Sequence, residues 1–209
     1  MSETSRDVPQ EREIKLLLSD LEGLAERLET AGATLIQPRV YELDLRFDDA
    51  QGSLSADHRV LRLRRDHTTH LTYKGPAQLG QPVSVRDEIE VEVSDFEKTR
   101  MFLEALGYHV SIFYEKYRRT YLFRGAQVML DEMPYGTFCE IEGPSPDQII
   151  AIAQQLGLDP DCKVLESYLT LFERLRAEKG WTLANLSFDG FAGMSLTPAD
   201  LGLRPADHP

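Results

Sequence analysis

The sequence contains only two cysteines among its 209 residues, Cys139 and Cys162. A disulfide framework or a thiolate zinc site needs several cysteines at paired spacing, so we expect two buried free thiols. No apolar run approaches the roughly 20 residues that cross a bilayer. The polar N-terminus also lacks the apolar segment of a signal peptide. We therefore expect a cytoplasmic protein that does not bind membranes.

Basic residues are also scarce. The chain has 23 Lys and Arg against 35 Asp and Glu, which gives a formal net charge of -12. Nucleic-acid binding depends on a basic surface, so this balance argues against a nucleic-acid partner. A hydrophobic content of 42% is enough to form one domain with a core. Because regular patterning fades after Lys179, we predict one domain over residues 1–179 and an irregular or partly mobile extension over residues 180–209.

The chain carries an internal repeat. Residues 12–22 (REIKLLLSDLE) are similar to residues 87–97 (DEIEVEVSDFE), and a looser third copy begins at Cys139. Such similarity indicates a duplicated unit. In each copy a serine is followed three residues later by Glu or Gln, the capping-box pattern of a helix start. The pattern predicts helices that begin at Ser19, Ser94 and Ser145.

Hydrophobic periodicity predicts four amphipathic helices and eight strands. Three helices follow the serines named above, and the fourth runs from Val164 to about Glu178. Apolar and polar residues alternate with a period of two in eight further segments. These strands are predicted over residues 10–18, 41–48, 59–65, 70–75, 84–93, 113–123, 126–132 and 137–143. The pattern predicts an α+β fold dominated by a large antiparallel sheet or barrel.

One face of the predicted strands is rich in charge, because successive strand residues face opposite sides. This face carries seven bases and seven acids: Lys15, Arg62, Arg64, Lys74, Arg86, Lys116 and Arg118, with Glu11, Glu13, Glu88, Glu90, Asp131, Glu140 and Glu142. The amphipathic helices need the apolar face. The charged face is therefore either a solvated outer surface or the interior of a closed barrel, which eight strands can form.

A basic cluster beside an acidic cluster suits one kind of ligand. Arg and Lys bind phosphate oxygens, while carboxylates bind Mg²⁺ or Mn²⁺ that bridges the same phosphates. Several bases suit a triphosphate better than a single phosphate. The near balance of charge indicates that the metal ion and the polyphosphate bind together.

The first strand carries Glu11-x-Glu13-x-Lys15, which resembles the ExExK signature of the CYTH superfamily, the triphosphate tunnel metalloenzymes. Further segments resemble this family in the same order, over about residues 10–176: ADHRVLRLRR, LTYKGP, RDEIE, EKYRRTY, VMLDEMPYG and CEIEG. One departure lies in YELDLRFDD, where Arg46 replaces the tyrosine of the family's Tyr-Phe-Asp. The superfamily includes class IV adenylate cyclases, thiamine triphosphatases and inorganic triphosphatases.

The resemblance implies an eight-stranded antiparallel β-barrel, the triphosphate tunnel, with the amphipathic helices packed outside. The implied ligands of Mg²⁺ or Mn²⁺ are Glu11, Glu13, Asp131, Glu140 and Glu142. The implied substrate-binding residues are Lys15, Arg62, Arg64, Lys74 and Arg118, with Lys163 closing one end, and strand parity adds Arg86 and Lys116. Lys74, as a polarising group, and Glu90, as a further tunnel carboxylate, are the candidate catalytic residues.

We therefore expect metal-dependent hydrolysis of a small-molecule triphosphate: inorganic tripolyphosphate, thiamine triphosphate or a nucleoside triphosphate. The same tunnel would also serve a class IV adenylate cyclase, in which the ribose 3′-hydroxyl attacks the α-phosphorus and expels pyrophosphate. A non-catalytic polyphosphate or nucleotide sensor is a third alternative, less favoured because all five candidate carboxylates are present. The protein is expected to be a monomer or a homodimer.

Overall fold

The computed structural model describes residues 8–207. Its strands are β1 (Gln10–Leu18), β2 (Thr34–Asp48), β3 (Val60–Arg65), β4 (Thr69–Lys74), β5 (Ser84–Glu92), β6 (His109–Phe123), β7 (Ala126–Met133) and β8 (Gly136–Glu142). Its helices are α1 (Leu21–Thr30), α2 (Ser53–Ala56), α3 (Phe96–Ala105), α4 (Pro146–Gln155) and α5 (Tyr168–Lys179), with a 3₁₀ turn at Pro160–Cys162. Within this range, no helix is both long and apolar enough to cross a membrane.

The strands form one closed antiparallel barrel in the order β1-β5-β4-β3-β2-β6-β7-β8. The long strands β2 and β6 pair along most of their length, with irregularities in register near both ends of β2. Closure joins β8 back to β1, so every strand has two partners. The predicted α+β barrel is confirmed, and the charged strand face lies inside it.

The apolar strand face points outward and is covered by helices in two clusters. Helices α1 and α4 pack on β1, β7 and β8, with Leu24 and Ile149 fully buried there. Helix α3 packs through Phe96 on the outer face of β2 and β3. A third cluster closes one end of the barrel, where Phe172 of α5 packs with Phe138 on the inner face of β8. The rest of the barrel interior is left to polar side chains.

Two of the predicted helix caps are wrong by one residue. The side chain of Asp20 accepts a hydrogen bond from the Gly23 amide at 2.9 Å, and that of Asp95 accepts one from the Lys98 amide at 2.9 Å. These aspartates, rather than the preceding Ser19 and Ser94, cap α1 and α3. Serine and aspartate are both good N-cap residues, so a Ser-Asp pair in the sequence does not show which of the two caps the helix. Ser145 caps α4 as predicted.

Three element boundaries also differ from prediction. Strands β2 and β6 begin at Thr34 and His109, before the predicted residues 41 and 113. The early part of β2 keeps Leu35 and Ile36 exposed and does not alternate between faces, which explains the missing signal. Helix α5 begins at Tyr168 rather than Val164, and residues 163–167 instead run along the barrel end.

The chain after α5 is irregular but packed. Leu186 forms a single parallel bridge with Tyr114 of β6 and is fully buried. Phe191 and Leu201 are buried with it in the cluster that contains α5. Further along, the amide of Ala206 donates to the Leu17 carbonyl at 2.8 Å, which ties the extension to β1. Residues 180–207 therefore share the core of α5.

Replacing Leu186 with alanine tests this packing. The side chain is 0% exposed, so we expect its truncation to lower the free energy of unfolding by about 2–5 kcal/mol. Met194 lies in the same extension but is 41% exposed, and Met194→Ala should change it by about 0.5 kcal/mol or less. Chemical denaturation of both variants measures the difference. Equal effects from the two substitutions would show that the extension does not share the core.

Candidate functional site

The barrel encloses a cavity of about 590 Å³, a size that suits a small-molecule ligand. Side chains of all eight strands line it, together with the loop around residues 77–83 and the segment 163–169. Its charged lining consists of Lys15, Arg46, Arg62, Arg64, Lys74, Arg86, Lys116, Arg118 and Lys163, with Glu11, Glu13, Glu42, Asp66, Glu88, Glu90, Glu140, Glu142 and Glu166. Of the two alternatives for the charged face, the closed interior is correct and the solvated outer face is wrong.

Strand alternation brings most of the predicted site residues to this cavity. Thirteen predicted residues line it: Glu11, Glu13, Lys15, Arg62, Arg64, Lys74, Arg86, Glu90, Lys116, Arg118, Glu140, Glu142 and Lys163. The fourteenth, Asp131, is on the inner strand face but is fully buried beneath longer side chains and does not line the cavity. Lys163 sits at one end, where its Nζ donates to the Pro82 carbonyl at 2.8 Å and so joins the two segments that border the cavity there.

Carboxylates concentrate where β1 pairs with β8, because Glu13 is in register with Glu142 and Lys15 with Glu140. Burial raises the pKa of Glu13 to about 7, and the negative charges of Glu140 and Glu11 add to this effect. Burial and the negative charges of Glu11 and Glu13 raise the pKa of Glu142. The cluster therefore holds more negative charge than its surroundings compensate, which favours a bound cation.

Two members of this cluster already contact cationic side chains. Glu11 accepts a hydrogen bond from Lys74, which also lies 3.5 Å from Glu88. Glu140 accepts one from Arg118 and lies 3.4 Å from Lys15. Burial would raise the pKa of Glu140, but Lys15 and Arg118 outweigh it and hold that pKa below its ordinary value. Glu11 and Glu13 contrast with Glu140, since burial raises the pKa of both.

Arginines dominate the wall formed by β3 and β4. Arg62 and Arg64 lie 3.5 Å and 3.6 Å from the same oxygen of Glu90. That oxygen also accepts a hydrogen bond from Thr72 at 2.8 Å. Burial would raise the pKa of Glu90, but Arg64, Thr72 and Arg62 outweigh it and lower the value. Glu90 is thus held ionised, and it orients two guanidinium groups toward the cavity.

Asp131, a predicted metal ligand, contacts cationic side chains and is not among the residues that line the cavity. Asp131 is directly across from Arg118 in the β6–β7 pair and is fully buried. Its carboxylate accepts hydrogen bonds from Arg118 Nε at 2.6 Å, Lys116 Nζ at 3.2 Å and the Tyr168 hydroxyl at 2.9 Å. Both carboxylate oxygens therefore already accept hydrogen bonds from neighbouring side chains. This geometry makes Asp131 an anchor for the two cations, which in turn line the cavity.

Sequence reasoning missed the contribution of β2. Glu42 and Arg46 line the cavity, and Asp44 is fully buried between them on the same strand face. Glu42 lies 3.3 Å from Lys116; burial would raise its pKa, but Lys116 and neighbouring arginines lower it to about 2. The signal was available in YELDLRF, where these residues alternate with Leu43 and Leu45.

The start of α5 also contributes to the site and was missed. The ring of Tyr168 lies 4.3 Å from Lys15 Nζ, within the range of a cation–π contact. Its hydroxyl donates to Asp131, as described above. The backbone carbonyl of Glu166 accepts a hydrogen bond from Lys15 at 3.4 Å. Residues 166–168 therefore fix the position of Lys15 at one end of the cavity, a contact that strand parity cannot reveal.

Comparison with known proteins matches residues 9–168 to the CYTH domain. The chain belongs to the CYTH family. A relative from Methanocaldococcus jannaschii, named "Putative adenylate cyclase", is 28% identical over 172 residues, covering 77% of this chain and 97% of the relative. A solved Pyrococcus horikoshii structure is 27% identical with a TM-score of 0.64, covering 78% of this chain and 98% of that one. The shared fold and the family membership agree with an enzyme of the triphosphatase or adenylate cyclase kind.

A solved CYTH-fold structure from Hippeastrum is more distant. It is 20% identical with a TM-score of 0.59, covering 83% of this chain and 97% of that one. That protein is described as a "putative adenylyl cyclase" with a dominant triphosphatase activity. At this identity the likeness shows the barrel fold alone. Two activities are thus named among proteins that share the barrel.

CYTH proteins in general depend on a divalent metal ion. The carboxylates on β1 and β8 suit such an ion, because Mg²⁺ and Mn²⁺ prefer oxygen ligands and the cluster carries uncompensated charge. Among residues 8–207, however, no three Asp, Glu, His or Cys side chains converge at metal-ligand spacing. Glu11 and Glu140 are instead turned toward Lys74 and Arg118. The donor chemistry fits a metal ion, and these two contacts oppose its binding.

Proposed function

We propose that this CYTH protein hydrolyses a small-molecule triphosphate inside the barrel with the help of Mg²⁺ or Mn²⁺. One observation carries the proposal: the closed cavity separates a carboxylate cluster on β1 and β8 from an arginine-rich wall on β3 and β4. A metal-bound polyphosphate combines a cationic and an anionic part, and so matches both. Inorganic tripolyphosphate, thiamine triphosphate and nucleoside triphosphates belong to this substrate class.

Each wall has a separate role in this reaction. Glu11, Glu13, Glu140 and Glu142 would hold the metal ion, which neutralises phosphate charge when bound. Arg62 and Arg64, oriented by Glu90, bind phosphate oxygens and stabilise the charge that develops on them. Lys15, Lys116 and Arg118 do the same from the opposite side. A water molecule attacks the terminal phosphorus, the phosphoanhydride bond breaks, and inorganic phosphate leaves.

Lys74 contacts Glu11 and lines the cavity. Since Glu11 would help to hold the metal ion, the Lys74 ammonium lies beside the place that metal-bound phosphates would take. The burial of Lys74 would lower its pKa, but Glu11 and neighbouring acids raise the value, so the side chain stays protonated. A protonated lysine can polarise a phosphate oxygen or stabilise the leaving group. We therefore propose Lys74 as the catalytic cation.

Adenylate cyclisation is the second candidate, since the Methanocaldococcus jannaschii relative bears that name. In that reaction the ribose 3′-hydroxyl attacks the α-phosphorus and pyrophosphate leaves. The protein groups that bind phosphate would be the same. The two reactions differ in which phosphorus lies next to the nucleophile, and hence in the products.

A product assay separates these functions. Purified protein is incubated with tripolyphosphate, thiamine triphosphate or ATP, with Mg²⁺ or Mn²⁺, and phosphate, pyrophosphate and cyclic AMP are followed together. We expect phosphate release without cyclic AMP. Cyclic AMP in equal amount to pyrophosphate would instead establish a cyclase. Tight tripolyphosphate binding without any product would establish a sensor.

The raised pKa of Glu13 predicts a pH dependence of metal binding. Below about pH 7 this carboxyl is protonated, so a divalent cation must displace a proton in order to bind. We expect Mn²⁺ affinity to rise with pH up to about 7 and then to level off. Calorimetric titration with Mn²⁺ between pH 5.5 and pH 8.5, about one to two units either side of that pKa, measures this.

The matched variant is Glu13→Gln, which removes this titration. Its weaker Mn²⁺ affinity should show a flatter pH profile than that of the wild-type protein. An identical profile in both proteins would assign the titration to another group.

A further inference from the structure

The cations that the strands contribute to the cavity fall into two groups. Six of them lie within 4.0 Å of a carboxylate: Lys15, Arg62, Arg64, Lys74, Lys116 and Arg118. Two other strand residues, Arg46 and Arg86, make no ion pair with any residue in the range 8–207. Within the described chain, these two arginines carry positive charge that the protein does not neutralise.

Arg46 lies against other arginines. It is directly across from Arg62 in the β2–β3 pair. Its Nε is buried without a hydrogen-bond partner among the described residues. Burial lowers the pKa of Arg46, and with the charges of Arg62 and Arg86 it outweighs Tyr114 and Asp44, which raise that pKa. Asp44, two residues away on the same strand face, lies 3.5 Å from Arg62 Nε. The three guanidinium groups therefore form a cluster with excess positive charge.

Such an arrangement is unfavourable unless an anion joins it, because buried charges need partners. A guanidinium presents its N–H groups in a planar fork that matches two phosphate oxygens. Arg46 and Arg62 lie on β2 and β3, away from the carboxylate cluster on β1 and β8, while Arg86 on β5 is directly across from Glu11. A phosphate bound between Arg46 and Arg62 would be neutralised by arginine rather than by the metal ion that the carboxylates would hold.

We propose that Arg46, Arg62 and Arg86 form a subsite for a phosphate group that carries no metal ion, and that Arg46 makes this subsite selective for the doubly charged terminal phosphate of a linear polyphosphate. This rests on the proposed function, since it names the part of the substrate that this wall binds. Arg46 is the deciding residue because its guanidinium lacks a protein partner in the described structure, while Arg62 already contacts Asp44 and Glu90. A terminal phosphate offers the most negative charge.

The test measures binding without metal. Inorganic tripolyphosphate is titrated into the protein in EDTA, with Arg46→Gln, Arg46→Lys and the control Arg39→Gln. Arg39 lies on the outside of the barrel, where it pairs with Glu132. We expect Arg46→Gln to weaken binding about 10- to 100-fold, since a hydrogen bond between charged groups is lost. The tripolyphosphate affinity of Arg46→Lys should lie between those of the wild-type protein and Arg46→Gln. That of Arg39→Gln should match the wild-type protein.

Two further measurements distinguish an effect on binding from an effect on folding, and test whether the terminal phosphate is the group that Arg46 binds. Without ligand, Arg46→Gln should melt no lower than the wild-type protein, because it removes a half-buried charge that has no ion pair within residues 8–207. Trimetaphosphate, a cyclic ion without a terminal phosphate, should bind both proteins about equally. Unchanged tripolyphosphate binding by Arg46→Gln would overturn the proposal. So would a large loss of melting temperature, or an equal loss of affinity for both ions.

These outcomes are independent of turnover. If the wild-type protein binds tripolyphosphate through Arg46 but releases no product from any triphosphate, the subsite stands and the proposed hydrolysis fails. If it releases phosphate and Arg46→Gln binds normally, the hydrolysis stands and the subsite fails.

Discussion

Replacing Glu13 with glutamine should abolish metal-dependent turnover while raising the melting temperature. Loss of one carboxylate from the metal-binding set should lower kcat by about 100-fold or more, the size expected for removing a preorganised charge from an active site. The folded state opposes ionisation of Glu13, because its pKa is raised to about 7 from an ordinary 4.5. This destabilisation develops as pH rises through that range and is complete at pH 8. Glutamine is uncharged and avoids it.

Phosphate release and thermal unfolding at pH 8, measured on the same preparation, give both results. Glu26→Gln is the matched control, because Glu26 is exposed on α1, outside the barrel. It should leave both quantities unchanged. Near-wild-type turnover by folded Glu13→Gln would remove Glu13 from the metal-binding set. A lower melting temperature would show that its carboxylate has a stabilising partner.

Replacing Asp131 with asparagine should have the opposite pattern, with a large loss of stability. The carboxylate is the shared acceptor of Arg118, Lys116 and Tyr168 and has no exposure. An amide removes the charge and turns an N–H group toward a guanidinium. Breaking a buried ion pair by removing one partner costs about 3–5 kcal/mol. For a chain of this size the melting temperature should fall on the order of 10 °C.

Thermal unfolding of Asp131→Asn is compared with that of Asp87→Asn, an exposed position on β5. The affinities for tripolyphosphate and for Mn²⁺ are then measured at a temperature where both proteins are folded. An anchor role predicts weaker tripolyphosphate binding, since Arg118 and Lys116 lose their orientation. A stable Asp131→Asn protein that had lost Mn²⁺ binding would restore Asp131 as a metal ligand.

The sequence predicted the barrel because its strands alternate cleanly and its charges share one parity. The same rule placed thirteen candidate residues on the cavity wall. It could not separate Asp131 from that set, because parity gives the face of a strand but not the depth of a side chain. Asp131 points inward, yet Arg118 and Lys116 are longer and reach past it.

Long-range contacts were beyond prediction for a related reason. Tyr168 is hydrogen-bonded to Asp131, which is 37 residues away in the sequence, and Lys15 is hydrogen-bonded to Glu166, which is 151 residues away. No period in the sequence encodes such a contact. The early part of β2 was missed because exposure on both faces removes the alternation. Glu42, Asp44 and Arg46 were a different case, since their alternation with Leu43 and Leu45 was visible in the sequence.

Barrel closure has a consequence for the direction in which a substrate lies. A sheet without a free edge offers no lateral opening between strands, so a chain of phosphates must thread lengthwise along the axis. The loop around residues 77–83 and the segment 163–169 border one end, which makes the two ends chemically unequal. A linear molecule can then lie head first or tail first. Its orientation, more than any single side chain, decides which phosphorus meets the nucleophile.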